Sequence, residues 1–138
     1  MAANSRFVIA THVLAILAAA PGKPVCSSYI AESVNTNPVV IRRLMAMLEQ
    51  ANLVKSVAGR SGGFELARSA PAITLADIYR AVEESEMFRM HANPPSTRCP
   101  IGAAIAGVLT KPLRKAEDAM VGTLSSTRLS DVVAAIPH

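Results

Sequence analysis

The sequence predicts a mostly α fold with a small β-hairpin, and three observations lead there. Aromatic residues are only 4% of the 138, with no Trp, while Ala, Leu, Val and Ile dominate; this composition favours helices packed on helices over a large sheet. Hydrophobic residues reach 51% against 17% charged, enough apolar material for one core in a chain of one-domain length. A short helical pattern, a tight turn, a second helical pattern and a two-stranded hairpin then follow one another between residues 27 and 67. That order is a winged helix-turn-helix, and an apolar helical pattern downstream adds a long C-terminal dimerisation helix.

The first helix is expected over about Ser5 to Ala20. It is apolar on nearly every side, as for an element sandwiched between two packed layers, and Pro21, Gly22 and Pro24 end it. Its apolar run from Phe7 to Ala20 is 14 residues and includes Thr11 and His12, whereas a membrane span needs about 20, so a buried helix is expected, with no membrane segment. Ser27 or Ser28 offers an N-cap for a short helix through Val34, broken by Asn35-Thr36-Asn37. Asn37 caps the next helix and Pro38 takes its first position, where a missing N–H costs nothing. On that helix, reaching about Asn52, Ile41, Leu44, Met45 and Leu48 recur at i, i+3, i+4, i+7 and point to the core.

Leu53 to Val57 and Phe64 to Ala67 read as two strands joined by the turn Ala58 to Gly63. Thr74 and Asp77 form a capping-box pattern opening a helix to about Glu84, with Leu75, Ile78, Tyr79 and Val82 on one face. Residues 85–98 hold Asn93, Pro94, Pro95 and Ser96 without a period and read as a loop. Pro100 then starts a helix to about Ser125 whose apolar seam is Ile101, Ile105, Leu109, Leu113, Met120 and Leu124, with Pro112 bending it. Thr127 opens a last helix to Ala135. The chain thus divides into a DNA-binding region, 1–84, the loop 85–98, and the dimerisation and terminal helices, 99–138, within one structural domain.

The formal charge of +4 is unevenly placed. Residues 1–68 hold seven basic side chains (Arg6, Lys23, Arg42, Arg43, Lys55, Arg60, Arg68) against three acidic ones, an excess of four, while residues 69–138 hold seven of each. An excess confined to the half with the helix-turn-helix points to a polyanionic partner, nucleic acid before membrane. Advancing about 100° per residue places Val39, Arg43 and Gln50 opposite the core face, with Arg42 on the flank. Arginine bonds guanine edges and glutamine adenine edges. Arg60, at the hairpin tip with Ser61 and Gly62, suits a narrow minor groove. With Ser28 and Asn37 at the two helix starts, these nine residues form the expected DNA-binding set. A solvated basic surface would explain any single arginine equally well; the combination favours double-stranded DNA.

The same residues carry a family likeness. The stretch Ser27 to Glu83 resembles the Rrf-two family of bacterial transcriptional regulators, above all in "LVKSVAGRSGGFELAR", which is similar to the family's wing. "RFVIATHVLAIL", "CPIGAAIAGVLTKPLRKAEDAM" and "LSDVV" resemble further family segments, so the likeness covers nearly the whole chain. It implies a homodimer in which the long helices pair and each subunit brings a recognition helix and a wing to a palindromic operator. Cluster-binding members carry three cysteines around the loop before the long helix; here only Cys99 stands there, and His12 matches a position from which some relatives recruit a histidine. The last part of the chain is most similar to the cluster-free branch, so no cofactor and no metal site are expected.

Two cysteines, Cys26 and Cys99, are too few for a disulfide scaffold, and a reducing cytoplasm is the expected location. Cys99 stands where a helix is expected to begin, with Arg98 beside it, a setting in which reactive thiols are found; it is the candidate redox sensor, with a small capping hydrophobe as the plain alternative. Cys26 is expected to be buried packing, and Met87, Met90 and His91 pocket lining or surface. No G-x-S-x-G, phosphate-binding glycine loop or paired carboxylates are present, so catalysis is not expected. The reading is a dimeric regulator, a repressor in the first instance, answering to a small-molecule or oxidant signal; the alternative is a winged-helix interaction module without operator binding.

Overall fold

Backbone pairing at two places decides where the helices begin. In the computed structural model, which describes residues 3–83 and 87–137, the first helix, α1, is Ala3–Ala18, beginning and ending two residues before the expected span. Gly22 follows with φ +75°. Val25 then exchanges two backbone hydrogen bonds with Phe64. This holds the chain extended as far as Cys26, so α2 spans Ser27–Val34 with Cys26 in the N-cap position and no side-chain cap. Neither Ser27 nor Ser28 caps the helix, contrary to expectation.

Asn35 closes α2 in the left-handed region, φ 57°, its N–H donating to Ala31 O at 2.9 Å. One turn later Asn37 Oδ1 accepts from the Val39 N–H at 2.8 Å and Pro38 opens α3, Pro38–Gln50. Ile41, Leu44, Met45 and Leu48 are its buried residues, as the spacing predicts. Strands β1, Val54–Val57, and β2, Gly63–Leu66, pair antiparallel with Val54 opposite Leu66 and Val57 opposite Gly63. At the turn, a Cβ on Gly62 would strike the Val57 carbonyl, and one on Gly63, whose φ is +151°, the Val25 carbonyl. Only glycine fits both places.

After a 3₁₀ turn at Ala70–Ala72, which the sequence did not suggest, the Thr74–Asp77 capping box forms in full, with bonds of 3.0 and 3.1 Å, and opens α4, Leu75–Val82. The expected end near Glu84 and the boundary with the loop at Ser85 lie outside the described residues. Helix α5 is Pro100–Ser125 and runs on through Pro112. The last helix, α6, is Leu129–Ala135 with Arg128, not Thr127, at its N-cap. The cause is the second pairing: Thr74 bridges Arg128, the Leu75 N–H donates to Thr127 O, and the Leu129 N–H donates to Ile73 O. Asp131 accepts from the Arg128 N–H at 2.9 Å.

The core gathers Val13, Leu14 and Leu17 of α1 with Ile30, the four α3 residues, Leu53, Val54, Ile73, Ile78, Val82 and Leu129. Phe7 and Tyr79 meet edge to face, centroids 5.9 Å apart, where α1 crosses α4. The sandwich expected for α1 is incomplete: Val8 is 64% exposed, and His12 and Ala19 are exposed too. Helix α5 contributes no buried residue to the core. Among the described residues no helix is long and apolar enough to cross a membrane.

Candidate nucleic-acid interface

The nine expected contact residues lie on α2, α3, the turn between them and the hairpin tip. Capping by Asn37 fixes the first turn of α3, from which Val39 projects at 52% exposure. Arg42 and Arg43 follow, both exposed, and Gln50 is the last residue of the helix. Seven residues of rise put Gln50 about 10 Å beyond Arg43 along the axis. Ser28 lies in the first turn of α2 and, with Arg42, lines a small cleft between α2 and α3. Arg60 and Ser61 are exposed at the hairpin tip and Gly62 is half-buried beneath them.

Pairing within the chain sorts the basic residues. Arg6 donates to Val82 O at 2.9 Å, Lys55 pairs with Glu65 at 3.3 Å across the hairpin, and Arg68 reaches Asp77 at 3.8 Å. Arg42, Arg43, Arg60 and Lys23 have no ion pair or side-chain hydrogen bond among the described residues. Three of these four, Arg42, Arg43 and Arg60, lie on α3 and the hairpin tip.

Two contacts that the sequence reading missed position the hairpin. Ser56 Oγ donates to Glu49 Oε2 at 2.9 Å, linking β1 to the end of α3. The Val25–Phe64 exchange, at 2.8 and 2.9 Å, links β2 to the start of α2. Alternation along β1 placed Ser56 on a strand, but nothing in the sequence marked its partner.

The cysteines depart from expectation. Cys26 is exposed rather than buried. Its Sγ lies 3.2 Å from Ser28 Oγ, and hydrogen bonds from the Ser28 side chain and then from the Tyr29 backbone hold its pKa below the usual thiol value. Cys99 is also exposed, in the N-cap position of α5, without a side-chain cap bond. Met87, Met90 and His91 are exposed.

Comparison with known proteins gives one answer. The family model described as "Rrf2: Iron-dependent Transcriptional regulator" matches residues 3–135. YwnA of Bacillus subtilis (strain 168), named as an HTH-type transcriptional regulator, is 37% identical over 131 residues, which are 94% of this chain and 96% of that protein. Among solved structures, CymR, the global cysteine regulator of B. subtilis, aligns with a TM-score of 0.71 and 25% identity over 96% of each chain. IscR of T. potens aligns with a TM-score of 0.72 and 26% identity, covering 97% of this chain and 90% of that one.

Among the described residues, the donor set does not fit the iron in the family description. Among the described residues no group of three or more His, Cys, Asp or Glu side chains stands together as a metal site. His12 Nε2 is instead 3.1 Å from Ser33 Oγ. Relatives that are regulators rather than enzymes, a wing and recognition helix with unpaired arginines, and a family match over almost the whole length converge: the chain belongs to the Rrf2 family of DNA-binding transcriptional regulators.

Proposed function

We propose that the protein is a homodimeric, operator-specific repressor that acts in the cytoplasm and needs no cofactor. The observation that carries this reading is the placement of Arg42, Arg43 and Arg60, exposed and unpaired, on a helix and hairpin whose spacing is set by the Glu49–Ser56 bond. In the proposed complex the N-terminal half of α3 lies in the major groove. Arg43 bonds a guanine edge there, Arg42 and Ser28 meet phosphates, and Val39 packs on a thymine methyl. Arg60 enters the adjacent minor groove, with Ser61 and Gly62 against the backbone. Gln50, further along the helix, reads the outer edge of the half-site.

Dimerisation through α5 is proposed because 26 residues, about 39 Å of helix, supply nothing to the chain's own core. Ile101 is 72% exposed, and Ile105, Leu109, Leu113, Met120 and Leu124 are half-covered. A symmetric pair then presents two α3 helices to a palindrome. Bound across a promoter, such a dimer represses by occupying the DNA that polymerase needs.

A redox response through Cys99 belongs to the same reading. An exposed thiol at the start of the pairing helix is placed to alter the distance between two recognition helices. The exposure of Cys26 removes the reason for expecting Cys99 to be modified first, so the two must be separated: a Cys99→Ser variant that still answers oxidant as the parent does assigns the response elsewhere.

The deciding experiment is a gel shift and footprint on DNA upstream of the protein's own gene, with a promoter-reporter assay. A protected palindrome and lower transcription support the reading. Binding no tighter than to random DNA of equal length would favour an interaction module that has kept the winged fold.

A further inference from the structure

A cavity of about 680 Å³ opens between α1, the turn that follows it, the start of α2 and α6, and none of the residues assigned above to DNA or to the α5 seam is in its lining. Its walls are largely apolar, Ile16 and Ala19 on one side and Val133 and Ile136 on the other, with the His12 ring, the Cys26 thiol and Tyr29 at intervals. Among the described residues lining it, Lys23 carries the only formal charge, and it has no ion pair among the described residues.

We propose that this cavity binds an amphipathic organic monoanion, an apolar body bearing one carboxylate or sulfonate. Its volume is in the range of small-molecule sites, roughly 300–1,000 Å³, and apolar walls with a few polar groups are the usual lining of such sites. The apolar body displaces water from Ile16, Val133 and Ile136. The head group meets Lys23, and no carboxylate among the lining residues opposes it. A single cation selects a single negative charge; a polyphosphate finds no second one.

The site is joined to the DNA-reading surface by covalent neighbours and short bonds. Val25 lines the cavity and is the residue that bonds Phe64 of β2, while Cys26 and Tyr29 begin α2. A ligand there presses on both the wing and the helix-turn-helix. This consequence rests on the DNA-binding reading; the site itself does not.

The test uses the full chain and anilinonaphthalene sulfonate as a fluorescent monoanionic probe, displaced by decanoate below its micellar concentration, with decanol as the uncharged comparison. In a Cys99→Ser background, the rate of Cys26 alkylation by N-ethylmaleimide reports on the site directly. Decanoate is expected to displace the probe, to slow alkylation, and to bind roughly fivefold more tightly than decanol, the upper range for one exposed ion pair. Lys23→Gln is expected to erase that preference. Equal displacement by decanol and decanoate in the parent, or alkylation that decanoate leaves unchanged, overturns the proposal. Protection of Cys26 that grows with protein concentration in the absence of ligand also overturns it, because a second copy then fills the cavity. None of these readouts uses DNA, so failure here and failure of operator binding are told apart.

Discussion

Val25 and Phe64 exchange backbone hydrogen bonds in both directions, N–H to O at 2.8 and 2.9 Å, which makes the segment before α2 a short third edge of the wing. The approach is possible because residue 63 is glycine: at φ +151° a Cβ would meet the Val25 carbonyl and the Cys26 nitrogen. Gly63→Ala is therefore expected to lower unfolding stability by about 1–3 kcal/mol, the cost of a strained backbone site. A urea midpoint equal to the parent's would show that the wing is not held by this contact.

Arg43→Ala is expected to weaken operator binding by about 1–3 kcal/mol and to relax preference at one base pair, since a bidentate contact to guanine is lost while the fold is untouched. Binding to random DNA of the same length is the control. An identical loss on both would reduce Arg43 to a phosphate contact.

Arg60→Ala is expected to act differently. The guanidinium stands at the hairpin tip with no partner in the chain among the described residues, so its contribution grows where an A·T tract narrows the minor groove. Titrating parent and variant on operators whose flanks differ only in A·T content measures this; a loss independent of the flank removes the minor-groove role.

Most of the helix order and the α3 core were legible because they rest on local rules. The spacing of Ile41, Leu44, Met45 and Leu48 predicts which face is buried, and Asn37-Pro38 and Thr74-Asp77 announce helix starts by side chains three or fewer residues apart. What misled the reading was non-local. Ser27, Ser28 and Thr127 are good capping residues, yet α2 has already begun at Ser27 and the chain is still extended beyond Thr127, because Val25 is bound to a residue 39 positions away and Arg128 to one 54 positions away. The same pairing brings Cys26 to the surface, where local composition had suggested burial. For the candidate site, residue types and faces were readable, but not which cations are free. The Lys55–Glu65 and Arg68–Asp77 pairs depend on strand register and on the approach of α4.

The Cys26 thiol is held below the ordinary thiol pKa, first by the Ser28 side chain. A hydrogen bond donated to sulfur favours the thiolate, so the fraction ionised near neutral pH rises. In a Cys99→Ser background the alkylation rate is expected to reach half its maximum at a lower pH than for a cysteine in an unfolded peptide, and Ser28→Ala is expected to move that midpoint up. A midpoint indifferent to Ser28 would leave the hydroxyl without a role in ionisation.

The seam on α5 gives the prediction on which the proposed symmetry depends. Ile101 and Val108 are seven residues apart, two turns on one helix face, and are 72% and 63% exposed. Val108 fell outside the seam read from the sequence, because the steps from Ile101 to Ile105 to Leu109 pass over it. Large apolar side chains this open on a helix that adds nothing to the core need a cover, and a second copy of the same helix supplies one. Val108→Glu places a charge at the centre of that contact and removes no core side chain. The variant is expected to be monomeric by light scattering at micromolar concentration, to unfold at no lower urea concentration than a parent diluted to the monomeric state, and to lose the palindrome while keeping weak binding to single half-sites. If Val108→Glu and the parent have the same mass at the same concentration, pairing does not run through this face of α5, and the two recognition helices are brought together by some other surface.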